Sequence, residues 1–519
     1  MEILAIFPSW LLTSVLVIFM FNIFLRRLKS NKSSISVDPK LPPNPPKLPI
    51  IGNLHHLVGK PHHQALWQLS QKYGPVMLVH IGSKPFLVIS SSSMAKQILK
   101  TQDHIFCSRP MNYASKRITY NFLDVAFSPQ SDRRREMRKI LVSEFFNRKR
   151  AKFLNVLAME NDSMVRSLSL HPPNTVVNLN KIMLATISGV ICKVGFGVNF
   201  SEEPLKGVSW GKMLEESMVV LNGSFVDSFP WIGRIIDHFS GWNGRLERCF
   251  NDLDSYIEMV IDQHHNRTEP VTSDDDKDFV QVLLELSSVD TASDYRLTKE
   301  DVKAHVMDVL TGGIDTTVVT AVWAMSEIAR NPRVMKKLQS EIRNCASRTQ
   351  NAHELDIKKM TYLNSVVKET LRLHPPAPLL IPHKSLSDSH IGGYDVFCGT
   401  TVLINGWGIG RDVSTWGENA AEFYPERFEN LDVDYGRGSC DLIPFGGGRR
   451  SCPAIKTAPE TVEAVIANLL YWFDWELPNG VKNDDLDMQE EGTLIIRRKL
   501  PLLLVATKHY GDDNKQLLA

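Results

Sequence analysis

Apolar residues recur every three to four positions along most of the chain, and this spacing predicts amphipathic helices. The segment from Val76 to Ile89 differs, because apolar and polar residues alternate there and Gly82 and Pro85 interrupt the alternation. Alternation of this kind predicts a β-hairpin. Helix therefore dominates, a few short strands accompany it, and no stretch indicates a second domain with a core of its own.

One predicted helix stands out by its length. Thr298-Lys-Glu-Asp301 has the pattern of a capping box, so we expect a helix to begin there and to run to about Arg330. Gly312 and Gly313 lie inside it. Each glycine costs a helix about 1 kcal/mol relative to alanine, so the pair requires a functional or packing reason.

The first part of the chain has the pattern of a membrane anchor. Ile3 to Leu25 is apolar and uncharged, and about 20 such residues suffice to cross a bilayer. Basic residues follow from Arg26 to Lys32, so the positive-inside rule places the rest of the chain in the cytosol. A cleaved signal peptide would have its basic residues before the apolar run and a small-residue cleavage site after it. Neither is present, and we expect a retained anchor.

Charge and cysteine usage exclude several classes of protein. Lys and Arg number 59 against 58 Asp and Glu, so the net charge of +1 gives no electrostatic case for binding nucleic acid. The seven cysteines are scattered and no pair has Cys-x-x-Cys spacing, which argues against a disulfide framework and against a zinc cluster.

A glycine-rich loop from Phe445 to Ala454 presents one of these cysteines, Cys452. Its three consecutive glycines let the backbone bend sharply and approach a flat ligand closely. Pro453 suits the first position of a helix, so we expect a helix to begin there and to continue to about Tyr471. A helix N-terminus and neighbouring arginines both favour the thiolate form of the cysteine, which is the form that binds metal.

This loop resembles the haem-thiolate signature of the cytochrome P450 family, Phe-x-x-Gly-x-Arg-x-Cys-x-Gly/Ala. A proline-rich hinge and the sequence Leu-His-Pro-Pro-Ala-Pro-Leu-Leu resemble plant A-type members, especially family 71. The resemblance extends from the anchor to Thr507. It implies a mainly α fold with small β-sheets, in which a triangular α+β body encloses haem behind an N-terminal transmembrane helix.

On that basis the chain divides into four parts. Residues 1–28 are the membrane anchor, 29–49 a basic and proline-rich hinge, 50–510 the cytochrome P450 catalytic domain and 511–519 a polar C-terminal tail. The prolines between Pro39 and Pro49 exclude helix and favour a stiff, extended spacer.

The resemblance also assigns a cofactor site. Cys452 would be the axial ligand of the iron of haem b, and its electron donation favours O–O cleavage. Arg138 matches the arginine of the family's Trp-x-x-x-Arg pattern, whereas Arg134 stands in place of its tryptophan. Four residues apart on one helix face, both would present cations to the haem propionates. The full set implied to hold the porphyrin is Arg134, Arg138, His383, Phe445, Gly446, Arg450 and Ala454.

Gly313, Asp315 and Thr316 match the Gly-x-Asp/Glu-Thr core of the family's I helix, which opens locally beside the haem to admit dioxygen and water. The resemblance makes Asp315 and Thr316 the catalytic residues, because a carboxylate and a hydroxyl at this place relay protons to reduced oxygen.

A second set is implied to be structural. Glu369 and Arg372 match the family's Glu-x-x-Arg motif and Arg427 lies in Pro-Glu-Arg-Phe. We expect the three to interlock and support the cysteine loop. Pro459, by contrast, falls inside the helix predicted after the loop and is expected to kink it.

The substrate pocket is implied to draw on the loop after residue 116, the long helix, the segment after the Glu-x-x-Arg helix and the C-terminal region. Its candidates are Phe122, Met307, Val309, Leu310, Gly313, Ala377, Leu379, Leu380 and Thr493.

Two surface features leave alternatives open. The aromatic connection from Phe225 to Trp242 resembles the family's F–G loop, which dips into the membrane, and ordinary core packing is the alternative. The basic residues from Arg133 to Arg150 form either a docking patch for an acidic redox partner or a plain solvated face.

The function implied is a haem monooxygenase that hydroxylates a small hydrophobic plant metabolite, a terpenoid or an alkaloid. It would be a single-pass protein of the endoplasmic reticulum membrane with a cytosolic catalytic domain. NADPH would supply electrons through NADPH–cytochrome P450 reductase, with cytochrome b5 as a further partner and O2 as co-substrate. Two alternatives remain open: a haem enzyme that desaturates, couples or rearranges its substrate, and a catalytically silent membrane scaffold.

Overall fold

The structure, a computed structural model, describes residues 39–199, 210–266, 277–288, 296–346, 357–429, 431, 433–435 and 438–509. The predicted anchor and the predicted C-terminal tail lie outside these residues. Leu41–Ala519 forms one compact unit, separate from Met1–Lys40.

Helices make up most of the described part, as the apolar spacing predicts. The α-helices are α1 (His62–Tyr73), α2 (Ser92–Lys96), α3 (Asp103–Phe106), α4 (Tyr113–Ile118), α5 (Asp132–Ile140), α6 (Arg150–Ser169), α7 (Leu179–Ile191), α8 (Trp210–Leu221), α9 (Phe225–Ser228), α10 (Gly233–Phe239), α11 (Trp242–His265), α12 (Phe279–Ser288), α13 (Lys299–Arg330), α14 (Pro332–Ala346), α15 (Thr361–Leu373), α16 (Gly406–Ile409), α17 (Val413–Trp416) and α18 (Thr457–Trp472). Short 3₁₀ segments include Pro425–Phe428 and Gly448–Arg450, and π-helical turns extend helices at Gln97–Thr101, Leu141–Arg148 and Cys192–Phe196.

The strands are short and form small sheets. They are β1 (Val76–Ile81), β2 (Lys84–Ile89), β3 (Val176–Asn178), β4 (His383–Lys384), β5 (Ser389–Ile391), β6 (Tyr394–Val396), β7 (Thr401–Ile404), β8 (Phe473–Glu476), β9 (Glu490–Gly492), β10 (Ile496–Arg498) and β11 (Leu503–Lys508). The sheet orders within the described residues are β1-β2-β7-β4, β3-β11-β8, β10-β9 and β5-β6. The predicted hairpin is confirmed as β1 and β2, which pair antiparallel about Gly82, where φ is +60°.

The long helix α13 is the axis of the core. It begins with the predicted capping box, in which the Thr298 hydroxyl accepts from the amide of Asp301 and the Asp301 carboxylate accepts from the amide of Thr298. Its 32 residues pack against α7, α15 and α18. These helices bury one large apolar cluster, whereas the hairpin side of the body buries smaller clusters.

The helix α13 is continuous through its two glycines, so the predicted local opening is not seen. Several of its threonines donate to the carbonyl one turn earlier: Thr316 to Gly312 and Thr317 to Gly313, each at 2.8 Å. Such bonds compete with the backbone ladder without breaking it.

The helix that follows the cysteine loop begins at Thr457, not at Pro453. Turns occupy the residues between the cysteine and this helix. Pro459 therefore lies in the first turn, where a backbone N–H has no partner inside the helix. The expected kink is wrong, because at this position proline removes no hydrogen bond.

The later part of the proline-rich stretch packs against the body. Pro42 and Pro45 are buried, and the Asn53 side chain donates to the carbonyls of Pro45 (2.9 Å) and Pro46 (3.0 Å). The amide of Leu78 in β1 donates to Pro43 at 2.8 Å. Residues 41–49 are thus extended, as expected, and are fixed to the hairpin.

Two helical stretches of the described part are long and apolar enough to cross a membrane, Leu179–Phe196 and Lys299–Arg330. The most apolar window of each is mostly inside the body, 67% and 83% buried respectively. Both are accounted for by core packing.

Candidate active site

One cavity in the body brings together the cysteine loop, the middle of α13, helix α5, residues 125–127 and the segment around β4. Most of the sequence-predicted site residues line it. They are Arg134, Arg138, Val309, Gly313, Thr316, Ala377, Leu380, His383, Phe445, Gly446, Arg450, Cys452 and Ala454.

The loop that carries Cys452 owes its shape to glycine. Gly446 and Gly448 have φ angles of +66° and +61°, which side chains rarely adopt. A Cβ on Gly448 would lie 2.3 Å from the carbonyl oxygen of Leu99. The loop can approach the π-helical turn Gln97–Thr101 this closely only because residue 448 has no side chain. The amide of Cys452 donates to Phe445 at 2.9 Å and closes the loop.

The environment of Cys452 does not by itself favour the thiolate. Burial raises the pKa of its thiol, and the amide of Ala454 and the guanidinium of Arg138 offset this only in part. The expected help from a helix N-terminus is absent because α18 begins at Thr457, and the dipole effect falls off within a turn. Coordination to a metal ion would reverse this effect, because a coordinated metal deprotonates a thiol outright.

Four arginines line the same cavity: Arg109, Arg134 and Arg450, which are buried, and Arg138, which is half-buried. Among the described residues, no carboxylate oxygen lies within ion-pair distance of any of them, although Asp124 and Asp308 are near. Burial lowers the pKa of Arg134 to about 10 and that of Arg450 to about 9, with the neighbouring arginines adding to the effect.

These guanidinium groups donate instead to main-chain carbonyls. Arg138 donates to Ser451 at 2.6 Å, and Arg109 donates to Ile381 at 2.6 Å. Arg450 donates to Cys107 at 2.5 Å and Ser128 at 2.8 Å. Carbonyls satisfy the N–H groups without neutralising the charge, so the cluster keeps a positive charge that an anionic ligand would neutralise.

His383 lies against this cluster in a neutral state. Burial lowers the pKa of the imidazole well below its ordinary value, and Arg109 lowers it further. Its Nδ1 is 2.8 Å from the carbonyl oxygen of Phe106, which can only accept, so Nδ1 carries the proton. In this tautomer Nε2 is an acceptor, and His383 donates to a carboxylate from that nitrogen only once the ring is protonated.

The two predicted catalytic residues lie on different sides of α13. Thr316 lines the cavity, whereas Asp315 is buried away from it and pairs with Arg497 of β10 at 3.1 Å. Arg497 also pairs with Glu215 of α8 at 3.3 Å. Burial raises the pKa of Asp315, and Arg497 offsets part of the rise. The prediction that Asp315 acts directly in the cavity is therefore wrong for this arrangement, because the Asp315 carboxylate pairs with Arg497 and does not line the cavity.

Five of the predicted pocket residues do not line the cavity. Met307 and Leu310 face the core because they lie on the opposite side of α13 from Val309, Gly313 and Thr316. The other three are Phe122, Leu379 and Thr493.

Each of those three is directed elsewhere by local structure. Phe122 belongs to a turn in which residues 120–122 all have positive φ angles. Leu379 packs with the apolar cluster between α1 and the hairpin. Thr493 donates to the carbonyl of Met218 at 3.3 Å, while its neighbours Leu494 and Ile495 reach the cavity.

Sequence reasoning missed Arg109 altogether. It is 5% exposed and contributes one of the four cavity arginines. The available signal was that it is the sole charged residue between Ile105 and Tyr113. Isolated charges in apolar sequence are costly to bury unless they serve a ligand or a partner.

The three residues expected to interlock do so. Glu369 accepts from Arg372 at 2.6 and 2.7 Å and from Arg427 at 3.0 Å. All three are buried. Their remaining bonds go to the chain between 410 and 424, including the amide of Tyr424, which donates to Glu369 at 2.8 Å. This network fixes the segment that leads into the cysteine loop.

The aromatic connection after α8 is exposed. Trp231 is 92% and Phe239 is 83% exposed, and Ile232 and Ile235 are exposed beside them. Core packing does not account for these side chains. A cluster of exposed apolar residues marks a surface for a partner or a membrane.

The basic residues from Arg133 to Arg150 are largely paired with acidic neighbours. Arg133 pairs with Asp301, and four further pairs join Arg135 to Asp132, Lys139 to Glu136, Arg148 to Glu144 and Arg150 to Glu460. This pairing reduces the net positive charge of the surface and favours a solvated face over a strongly cationic patch.

Comparison with known proteins gives one consistent picture. The family model described as Cytochrome P450 matches residues 42–505. Parthenolide synthase of Tanacetum parthenium is 52% identical, over 97% of this chain and 99% of that protein. Eupatolide synthase of Helianthus annuus is 42% identical, over 98% and 99%. The 2-methylbutanal oxime monooxygenase of Manihot esculenta is 39% identical, over 97% and 98%.

A solved structure of a zebra fish cytochrome P450 with abiraterone has a TM-score of 0.70 to this chain at 23% identity. The match covers 87% of this chain and 100% of that one. It demonstrates a shared fold.

Proposed function

Because this chain belongs to the cytochrome P450 family, we propose that it inserts one oxygen atom from O2 into a small hydrophobic plant metabolite of the terpenoid type. Haem b would be its cofactor, and NADPH would supply electrons through NADPH–cytochrome P450 reductase. The observation that carries the proposal is the meeting of one thiol and four arginines without a carboxylate partner in a single cavity whose lining is largely apolar.

The residues present fit haem. Cys452 lines the cavity, where iron would favour the ionised form of its thiol, and the arginines would hold the two propionates. Haem bound in this way supplies the activation of dioxygen and the oxidation of the substrate, which side chains cannot perform.

The chain's own contribution is positioning, exclusion of water and proton handling. Val309, Ala377 and Leu380 would orient an apolar substrate and keep water away from it. A Cβ on Gly312 would meet nothing within 4 Å, so this glycine leaves open space beside the helix. The Thr316 hydroxyl, at the same place, can hold or pass a proton at Oγ1.

Thr316 is therefore the proposed catalytic residue within the cavity. Asp315 would act only indirectly, from the other side of α13. The ion pair with Arg497 would favour the charged form of its carboxyl group, which burial disfavours.

A terpenoid is favoured over an alkaloid by the charges of the cavity. A protonated amine needs a carboxylate partner when it is buried. Asp308 is the one acidic residue among the described residues that line the cavity, and one of its carboxylate oxygens already accepts from the amide of Val125 at 2.6 Å. The relatives named parthenolide synthase and eupatolide synthase support the same choice.

We place the protein in the endoplasmic reticulum membrane, with residues 1–28 as the anchor and the catalytic domain in the cytosol. The exposed aromatic surface around Trp231 and Phe239 would rest on the same membrane, because aromatic side chains favour the interface.

The test is a spectrum of the purified, reduced protein with carbon monoxide. Thiolate ligation gives a strongly red-shifted Soret band, which Cys452→Ser should abolish. Cys440→Ser, at a buried cysteine that does not line the cavity, should leave the band unchanged. Absence of the band from haem-replete wild-type protein would refute the proposal. With ¹⁸O₂, a hydroxylated product must carry the label, whereas an unlabelled product would point to desaturation, coupling or rearrangement. Haem-replete protein that consumes no NADPH with any candidate terpenoid would favour the scaffold.

A further inference from the structure

His374 is a buried histidine that has no part in the proposed chemistry. It is the histidine of the Leu-His-Pro-Pro-Ala-Pro-Leu-Leu segment, it follows directly after α15, and it is 9% exposed. Its ring stacks on Trp323 of α13, with the ring centroids 4.1 Å apart and the planes 5° from parallel. Histidine changes its charge near neutral pH, so the groups around this ring decide what such a change would do.

Both ring nitrogens of His374 face carboxylates. Nε2 lies 2.7 Å from Oε1 of Glu327 on α13. Nδ1 lies 3.9 Å from Oε1 of Glu490 on β9, which is within ion-pair distance but too long for a hydrogen bond. A neutral imidazole has only one N–H, so in that state one carboxylate would face a lone pair, whereas the protonated ring donates from both nitrogens. Burial alone would lower the pKa of His374, but Glu327 and Glu490 together raise it above its ordinary value.

Glu490 also binds α1, and this contact extends the cluster. Its Oε2 lies 2.9 Å from Nε2 of His63 and accepts from Gln64 at 2.8 Å. The other charged groups that face His374 or its two carboxylates are arginines: Arg372, Arg411 and Arg498. Arginine keeps its charge throughout the neutral range, so within the described residues the charge of this cluster changes there through its histidines.

The cluster lies at the base of two segments of the cavity wall. One segment follows His374 directly and contributes residues 376–377, and the other is the turn of the β9–β10 hairpin, which contributes residues 494–495. Glu490 is the first residue of β9. The contact between His374 and Glu490 therefore joins the two wall segments where they begin.

The β9–β10 hairpin needs such an attachment because its own ladder is short. The two strands pair over three residues each, and within the described residues they pair with no other strand. A lone two-stranded hairpin is marginally stable at best. Beyond the cluster, the amide of Ile496 donates to the carbonyl of Pro376 at 2.8 Å, and the Trp323 indole donates to the carbonyl of Ile496 at 3.5 Å. The position of this wall thus depends on contacts that include the His374 ring and the tryptophan on which it stacks.

We propose that protonated His374 is a clasp that holds the two wall segments together, and that the clasp loosens when the ring loses its proton. The inference rests on the proposed function only in taking this cavity as the substrate site. Because the pKa of His374 is raised in the folded protein, the contribution of the clasp is complete below the ordinary value of about 6.5. It is lost as the pH rises through the higher folded value. An apolar substrate would accordingly be held more tightly in slightly acidic than in alkaline solution.

The test is hydrogen–deuterium exchange of the haem-loaded protein between pH 6 and pH 9, read by mass spectrometry on peptides that cover residues 490–498 and corrected for the intrinsic exchange rate. Protection of the wild type should fall about tenfold over this range, which is about the value of one hydrogen bond to a charged group. His374→Gln cannot carry the charge and should have low protection already at pH 6, without a pH step. His374→Arg keeps a cation that can stack on Trp323 and reach both carboxylates, so it should stay protected up to pH 9.

Two further variants identify the titrating group. His390→Gln removes an exposed histidine that pairs with Asp395, and it should leave the protection and its pH step unchanged. His63→Gln removes the other histidine in contact with Glu490 and should retain the pH step.

Three results would overturn the clasp: equal protection of the wild type at pH 6 and pH 9, a pH step that persists in His374→Gln, or a pH step that appears in His374→Arg. The carbon monoxide spectrum of the same samples reports on the proposed function separately. A normal red-shifted band without the pH step would overturn the clasp alone. A missing band together with the pH step would overturn the proposed function alone.

Discussion

Removing the charge of Glu369 should destabilise the protein severely. The substitution Glu369→Gln replaces one of two oxygens that accept four hydrogen bonds from Arg372, Arg427 and the amide of Tyr424. The side chain is fully buried, and the new amide would turn N–H groups towards guanidinium donors. Breaking a buried ion pair by changing one partner costs about 3–5 kcal/mol.

The assay is denaturant unfolding of the haem-loaded protein, followed by tryptophan fluorescence and by the Soret band. Glu136→Gln, which breaks an exposed pair with Lys139, is the matched control and should cost under about 1 kcal/mol. The double variant Glu369→Gln, Arg427→Gln should cost clearly less than the sum of the single changes, because both remove the same contact. A loss below about 1 kcal/mol for Glu369→Gln, or full additivity, would refute the account of the network.

Three further outcomes are expected. Burial raises the pKa of Glu463 to about 7, so the folded protein binds a proton there that the unfolded chain releases, and stability falls as pH rises from about 4.3 to about 7. Glu463→Gln should therefore increase the free energy of unfolding by about 3 kcal/mol at pH 8 and change it little at pH 4. An effect that does not depend on pH would contradict this. Gly448→Ala should lower both the haem content and the free energy of unfolding. Gly438→Ala, at a glycine with a similar φ but open space around it, should lower the free energy of unfolding by only about 1 kcal/mol. Equal losses would show that the close approach at Gly448 is unimportant. In vesicles that contain brominated lipids, the fluorescence of the exposed Trp231 should be quenched. Trp231→Phe should therefore reduce the quenching, and Trp416→Phe, at a buried tryptophan, should not. Unchanged quenching in Trp231→Phe would show that this surface lies in water.

Local patterns predicted the elements that carry the site, because each depends on residues close together in sequence. The capping box at Thr298 fixed the start of α13, and the glycines around Cys452 shaped its loop. The predicted start of the following helix was wrong. Two prolines, Pro453 and Pro459, fit a first helical turn equally well, and only packing selects between them.

Long-range contacts were beyond the reach of local patterns. The partner of Asp315 is Arg497, which is 182 positions away, and no spacing rule relates a helix to a strand that meets it only in the folded protein. The pocket residues Met307 and Leu310 failed for a related reason. Helical period gives the faces of α13 but does not say which face meets the cavity.

The threonine hydroxyls on α13 make its unbroken form easy to change. The carbonyl oxygens of Gly312 and Gly313 each hold a side-chain O–H in addition to lying in the helical ladder. If a peptide N–H withdraws from one of them, that oxygen keeps a partner and is not stranded in an apolar interior. A water molecule can then accept a hydrogen bond from the amide that has been released. The helix can thus exchange one hydrogen bond for another at low cost and open locally for a small molecule, while the core stays packed.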